Sequence, residues 1–358
     1  MLQRIDIYII KKFLGTYFFA IALILAIAVI LDIQQNLDYF LKNEAPLRKI
    51  VMEYYFNFIP YFANLFSPLF VFIAVIFFTS KLAENSEIIA MLASGMSFNR
   101  LMRPYMISAA IIALFTFALN SFVIPPANRI RREFSNKYIK NKATTYSRNN
   151  QLMVEPGVIA YVERYDSPSK TGNRFSLEKF EDKKLTSRLT AKRIKYQGDY
   201  KWELSDYIIR NFDGLKETIT KGTKIDSIIK FEPSDILISR YESELMNTPK
   251  LGAYISKQKE RGVANIKNFE IEYHKRFAAI GASFILTAIG LSLSSRKVKG
   301  GIGLNIGLGL LLSFSYILFQ TVSATFAVSG RTSAFIAVWI PNIVYTFIAI
   351  FLYRKAPK

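Results

Sequence analysis

Long runs without a single charged residue alternate with short basic segments along this chain. Phe13–Leu31 is one such run, Asn57–Ser80 a second (interrupted by Pro60 and Pro68), and Tyr105–Asn128 a third. A long polar stretch follows. Phe277–Ser295, Gly300–Gly330 and Thr332–Tyr353 are three more uncharged runs. A helix rises ~1.5 Å per residue and a bilayer core is ~30 Å thick, so each run is long enough to cross. The pattern predicts a membrane α-helical protein with six transmembrane helices, three on each side of a polar insert. The first run is too long, and too poor in a small-residue cleavage site, to be a signal peptide.

The insert has a different period. Val158–Tyr165, Phe175–Phe180 and Trp202–Ile209 are short, β-branched or aromatic, and partly alternating. Turn signals separate them: Ser167-Pro168, Thr171-Gly172-Asn173, Gly198-Asp199 and Asp213-Gly214. Strands at this spacing predict an all-β domain, a small antiparallel sandwich. Its flanks read differently. Asn128–Lys142 is charged and helix-compatible, and extends the third span outward. After Thr248-Pro249, Lys250–Arg261 reads as a short helix ended by Gly262. The expected organisation is 1–140 for the first three spans, 141–248 for the β domain, and 249–358 for a connecting helix and the last three spans.

Charge sets the orientation. Twelve basic residues fall on one side: Arg4, Lys11, Lys12, Lys81, Arg100, Arg103, Arg296, Lys297, Lys299, Arg354, Lys355 and Lys358. The short loops on the other side hold Lys42, Arg48 and Lys49, balanced by Asp38, Glu44 and Glu53, and also Arg331. The positive-inside rule then makes both termini cytoplasmic, and parity puts the insert outside the cytoplasm. The insert's own charge is no objection, because long domains translocate largely regardless of charge.

Composition narrows the chemistry. Hydrophobic residues make up 51% and charged residues 21%, yet mean hydropathy is positive, so the two kinds are segregated along the chain. The net charge of +20 fits either nucleic acid or anionic lipid, and the apolar runs favour lipid. No Cys excludes disulfides, thiolate catalysis and Cys-based zinc sites. One His argues against His-rich metal sites and most His-dependent acid–base designs. No membrane segment holds paired carboxylates, and no nucleophile–base arrangement is visible, so no catalytic residue and no bound metal or cofactor is expected.

Several local features admit two readings. After the second span, Asn85 or Ser86 can cap a helix, Glu87 suits its positive end and Gly95 can stop it. Ile88, Met91 and Leu92 fall on one face. That segment is either an interfacial helix in the headgroups or a docking helix offering an acid and an apolar ridge to a soluble partner. Gly300–Gly309 is Gly-rich but lacks the preceding strand and following Lys-Ser/Thr of a phosphate loop. Gly303 and Gly307 instead have the GxxxG spacing of close helix packing. Asp32 lies near the outer end of the first span, either as a solvated helix end or as a functional acid. Arg129, Arg131 and Arg132 are either a solvated helix face or a cationic rim for an anionic lipid headgroup. His274, among Glu272, Lys275 and Arg276, reads as a solvated surface residue.

Three stretches resemble the LptF/LptG family, the permeases of lipopolysaccharide export. Ser86–Ser97, with Pro104 downstream, is similar to the family's cytoplasmic coupling segment. Glu244–Ile255 followed by Glu272–Phe277 is similar to the lead into its fourth span. Gly300–Gly307 and Trp339–Ile343 are similar to spans five and six. The resemblance covers essentially the whole chain. It implies a permease subunit of an ABC-type exporter in the bacterial inner membrane, with no nucleotide site of its own. It implies a second LptF/LptG-type permease and an LptB-like ATPase dimer, which uses the ATP. It also implies that the insert is a periplasmic β-jellyroll passing lipopolysaccharide to LptC- and LptA-like proteins. Glu87 becomes the acid facing the ATPase, with Ile88, Met91 and Leu92 beside it. Some members carry lysines at the outer end of span one, where this chain has Asp32, Asp38 and Tyr39. Arg132 still matches a basic position after span three. The candidates for gripping lipid phosphate are therefore Arg132, Arg129 and Lys42, with Asp32 as the site of a competing divalent-ion bridge. Two other classes compete: a lipoprotein-releasing or MacB-like permease, which has four spans, and an integral-membrane lipid enzyme, which needs an acid–base or metal cluster.

Overall fold

The computed structural model describes residues 3–139, 146–166, 168–182, 184–214, 216–236, 242–260, 266–296 and 301–356. Lys297, Lys299, Gly300, Lys358, Arg261, Gly262 and Ser167, to which the sequence assigned orientation, helix-stop or turn roles, lie outside these residues. The chain forms two compact units. One comprises Met1–Ile139, Glu244–Thr248 and Glu270–Lys358; the other comprises Lys140–Ser243 and Pro249–Phe269. Pro249–Phe269 thus groups with the insert.

The membrane unit contains six helices long and apolar enough to span: α1 (Arg4–Lys42), α2 (Leu47–Glu84), α4 (Phe98–Tyr138), α6 (Lys267–Ser294), α7 (Gly301–Val328) and α8 (Ala334–Lys355). Short α3 (Glu87–Ala93) links α2 to α4. Helices α1, α2 and α4 overrun their uncharged runs at both ends, because polar residues beyond the hydrocarbon still satisfy their backbone bonds helically, whereas α7 lies within its run. Pro60, Pro68, Pro104 and Pro341 all sit inside helices. Two stretches widen to π geometry, Ile50–Tyr55 in α2 and Leu119–Val123 in α4. One core joins α1, α2 and α4 through Phe13, Tyr17, Val71, Val75 and Tyr105. A second joins α2 to α6, α7 and α8 through Phe72, Ile76, Leu286, Tyr316 and Tyr345.

The insert is antiparallel, with one difference from the expected sandwich. Hydrogen bonding runs without interruption through a single six-stranded sheet in the order β1 (Tyr146–Glu155), β2 (Val158–Asp166), β3 (Thr171–Glu181), β4 (Lys184–Gly198), β5 (Lys201–Asp213) and β6 (Lys216–Ile228). Its core holds Val162, Phe175, Ala191, Ile194, Trp202 and Leu204, together with Phe231 beyond β6. Trp202 is fully buried, stacks on Phe231 at 4.5 Å and donates its Nε1–H to the Phe231 carbonyl at 3.1 Å. Gly172, expected in a turn, lies inside β3 opposite Tyr165 and Ile194. A Cβ there would stand 2.8 Å from Ile194 Cγ1, so the packing requires glycine. The Tyr165 hydroxyl is buried without a hydrogen-bond partner among the described residues, and burial pushes its pKa up to about 12. Following the insert, α5 spans Thr248–Glu260.

Candidate functional site

The linker helix α3 has a well-defined stop. Gly95 takes φ +87°, its N–H donates to the Leu92 carbonyl, and the Met96 N–H reaches back to Met91. These are the paired bonds of a left-handed helix C-terminus. The expected start is corrected. Ser86 occupies the cap position with φ 64° and its side chain makes no capping bond. A two-residue turn from α2 forces that left-handed backbone. Asn85 instead donates its side-chain amide to Glu87 Oε1 at 3.3 Å.

The apolar ridge also turns the opposite way from the docking expectation. Ile88 is 0% exposed, and Met91 and Leu92 lean on the core that it shares with Leu82, Phe98 and Leu101. A face read from periodicity shows amphipathicity but not which neighbour it meets. The outward apolar residue is Ile89, 56% exposed, beside half-buried Glu87.

An ion pair that the sequence reading missed holds this region in place. Arg100, at the start of α4, donates Nη1 and Nη2 to the two carboxylate oxygens of Asp6, each at 2.7 Å. Nη2 also reaches Gln3 Oε1 at 3.0 Å. Gln3 closes the arrangement by donating its N–H to Asp6. Asp6 is almost fully buried. The fork is the bidentate geometry in which arginine is strongest. Ninety-four residues separate the partners, so no local pattern could have revealed the pair. Phe98 and Tyr353 rings meet at 5.8 Å, the Tyr353 hydroxyl reaches Asn99, and Arg296 reaches the Lys355 carbonyl. The start of α1, the α3 linker and the end of α8 therefore gather at one end of the helical unit.

At the opposite end of α1 the candidates disperse. Asp32 is not a helix end, because α1 continues to Lys42. Its carboxylate accepts from Tyr55 at 3.1 Å and from Tyr54 at 3.3 Å. The π-widened turn lets two consecutive tyrosines reach one carboxylate. Those rings belong to a cluster with Phe40, Phe58, Phe134 and Tyr138. Arg131 is half-buried, and its guanidinium lies over the Tyr61 ring at 4.6 Å. Arg129 and Lys42 are exposed, and Arg132 is half-buried. His274 is half-buried, edge-on to Phe335 at 5.3 Å, rather than solvated.

Within this chain the expected glycines pack against nothing. A Cβ on Gly303 or Gly307 would meet nothing within 4 Å, and both are exposed. Tight packing falls on Gly309, against Ile76 and Phe72, and on Gly290, 2.9 Å from Val75 Cγ1. The GxxxG face of α7 is open and flanked by exposed Leu304, Leu308 and Leu311.

A second group not foreseen is a buried polar node around Arg276, which is 2% exposed. It donates to Glu272 Oε1 at 3.0 Å, to the Met246 carbonyl at 2.9 Å and to Thr248 Oγ1 at 3.0 Å. Thr248 in turn donates to Ser121 Oγ on α4. The sequence offered one signal, the adjoining Glu272 and Arg276 one helical turn apart, but read them as surface. Nearby Glu244 has its pKa raised, first by burial and then by the Glu272 charge.

Six helices long and apolar enough to cross a membrane, with a mid-chain antiparallel β unit, define a multi-pass membrane protein. The family model of the lipopolysaccharide export system permease LptF/LptG matches residues 7–355, and the chain belongs to that family. It is accordingly a transport permease of the inner membrane. No curated protein matches it.

Proposed function

We propose that this chain is one permease of an ATP-driven exporter that lifts lipopolysaccharide from the inner membrane and passes it through the β unit towards the outer membrane. The observation that carries the reading is the family match along nearly the full length, over six spans and a β insert. Both termini face the cytoplasm and the β unit faces the periplasm. The clustering of the two chain ends with the α3 linker at one end of the helices supports that parity. An LptB-like ATPase dimer consumes the ATP, and this chain binds no cofactor. The ATPase meets α3 at Glu87 and Ile89, while buried Ile88, Met91 and Leu92 hold the helix in place.

A second LptF/LptG-type permease pairs across α1 and α7. Their long exposed apolar faces, with Phe19, Ile30, Leu311 and Leu318 each more than half exposed, support this choice. Acyl chains meet those walls, where apolar contact is favourable and non-directional. Phosphates meet Arg132, Arg129 and Lys42, each cation worth about 1 kcal/mol at a membrane interface. LptC- and LptA-like proteins receive the cargo from the β unit.

Affinity purification from native membranes tests this. The reading expects a co-purifying ATPase, a second permease and bound glycolipid. Recovery of the chain with none of the three would overturn it.

A further inference from the structure

A cavity of about 180 Å3 lies within the membrane unit, between α2, α4, α6 and α7. Asn128 lines it and is 3% exposed, yet neither atom of its side-chain amide has a hydrogen-bond partner among the described residues. Native structures rarely leave such groups unmet, so an orphaned amide at a cavity points to something that fills the cavity. The space far exceeds the ~10–15 Å3 that one water requires.

The lining is of mixed charge. Glu244 and Glu272 contribute carboxylates, and Lys275 contributes an exposed ammonium. Arg276 is already engaged by Glu272 and the 246–248 segment. Asn64 and Asn120 on the far wall are engaged with each other. Asn128 and Lys275 thus remain to meet an anion, and Glu244, with the Glu272 oxygen that Arg276 does not hold, to meet a cation. Burial and then the Glu272 charge act against ionised Glu244, opposed more weakly by Lys275, Arg131 and Arg132. Leu65 lines the cavity and is 45% exposed on α2, on surface that the bilayer covers, so a ligand can be tethered in lipid.

We propose that this cavity binds the phosphoethanolamine headgroup of a membrane phospholipid, with its ammonium between Glu244 and Glu272 and its phosphate on Lys275 and the Asn128 amide. A purely anionic headgroup leaves the carboxylates repelled. A choline headgroup carries no N–H to donate to them. The proposal does not depend on the cargo of the exporter.

The test uses the purified full chain in nanodiscs of phosphatidylethanolamine and phosphatidylglycerol in equal parts, without lipopolysaccharide, followed by native mass spectrometry of retained lipid. A parallel set replaces the ethanolamine lipid with phosphatidylcholine. Phosphatidylethanolamine is expected to be retained about tenfold over either other lipid. Asn128→Leu should lower that retention about tenfold while leaving thermal stability in lipid-free detergent unchanged or higher, because the amide has no partner to lose. Glu244→Gln should abolish the preference for ethanolamine over glycerol. Equal retention of the lipids, retention indifferent to both variants, or no retained lipid at all (a cavity holding water only) would each overturn the proposal. None of these outcomes bears on export.

Discussion

Replacing Arg276 by Met keeps most of the side-chain volume and removes the charge. Three donated hydrogen bonds disappear, to Glu272, Met246 and Thr248, at a residue only 2% exposed. Bonds to charged groups contribute about 1.5–3 kcal/mol each, but they share one guanidinium and do not add. Breaking a buried pair by deleting one partner costs about 3–5 kcal/mol. The Glu272 side chain left behind is 19% exposed and so retains some solvation, which argues for the lower end, about 3 kcal/mol. That is roughly a hundredfold shift in the folding equilibrium. Arg276→Lys keeps the charge but not the fork, and should lose about half as much. Arg276→Met combined with Glu272→Gln should recover part of the loss, because no carboxylate is then stranded. The assay is denaturant unfolding of the purified protein in mixed micelles, with hydrogen exchange followed over residues 243–276. A single variant within ~0.5 kcal/mol of the parent, the range of ordinary surface changes, would refute the reasoning. So would a double variant no better than the single.

Other outcomes follow from the same geometry. Gly309→Leu should destabilise by about 1–3 kcal/mol because it overpacks Ile76 and Phe72, whereas Gly303→Leu should leave the isolated chain's melting temperature unchanged and instead weaken co-purification with the second permease. Glu244, with its pKa raised in the folded state, binds its proton more tightly folded than unfolded, so the stability it contributes is present at low pH and is lost as pH rises through the raised value; Glu244→Gln should flatten that part of the stability–pH curve, and an unchanged slope would remove this role. Glu87→Lys should weaken ATPase docking in pull-downs without altering the melting temperature, since the half-buried side chain accepts one long hydrogen bond, from Asn85; normal assembly and export would remove the docking role.

The spans were legible because charge is excluded from hydrocarbon, but their ends were not. Phe13–Leu31 marks what lipid tolerates, while the helix runs from Arg4 to Lys42 because polar residues such as Asn36 continue it, its amide bonded to the Asp32 carbonyl. In the insert, Val158–Tyr165, Phe175–Phe180 and Trp202–Ile209 announced β2, β3 and β5. Strand β6 was missed because it is exposed along most of its length and carries Lys at 216, 221 and 224, which hides any alternation. Gly95 was readable as a helix stop because only its backbone mattered. Ile88 was not readable as inward-facing, because orientation depends on neighbours distant in sequence. The Asp6–Arg100 pair and the Arg276 node share that cause. The GxxxG spacing did not reveal the close approach inside the chain: that depends on which face of α7 meets α2, and that face carries Gly309.

Cargo passage through the β unit is the central claim, and site-specific photocrosslinking tests it most directly. A photoreactive residue at Leu177 or Leu189, which face each other in register on β3 and β4 and pack against the β core, samples the inside of the sheet. The transporter, reconstituted with its ATPase and loaded with lipopolysaccharide, should give crosslinks to lipopolysaccharide at these positions that rise when ATP is added and vanish when the ATPase cannot hydrolyse it. Crosslinks that are absent with ATP, or equally strong without hydrolysis, would contradict the account.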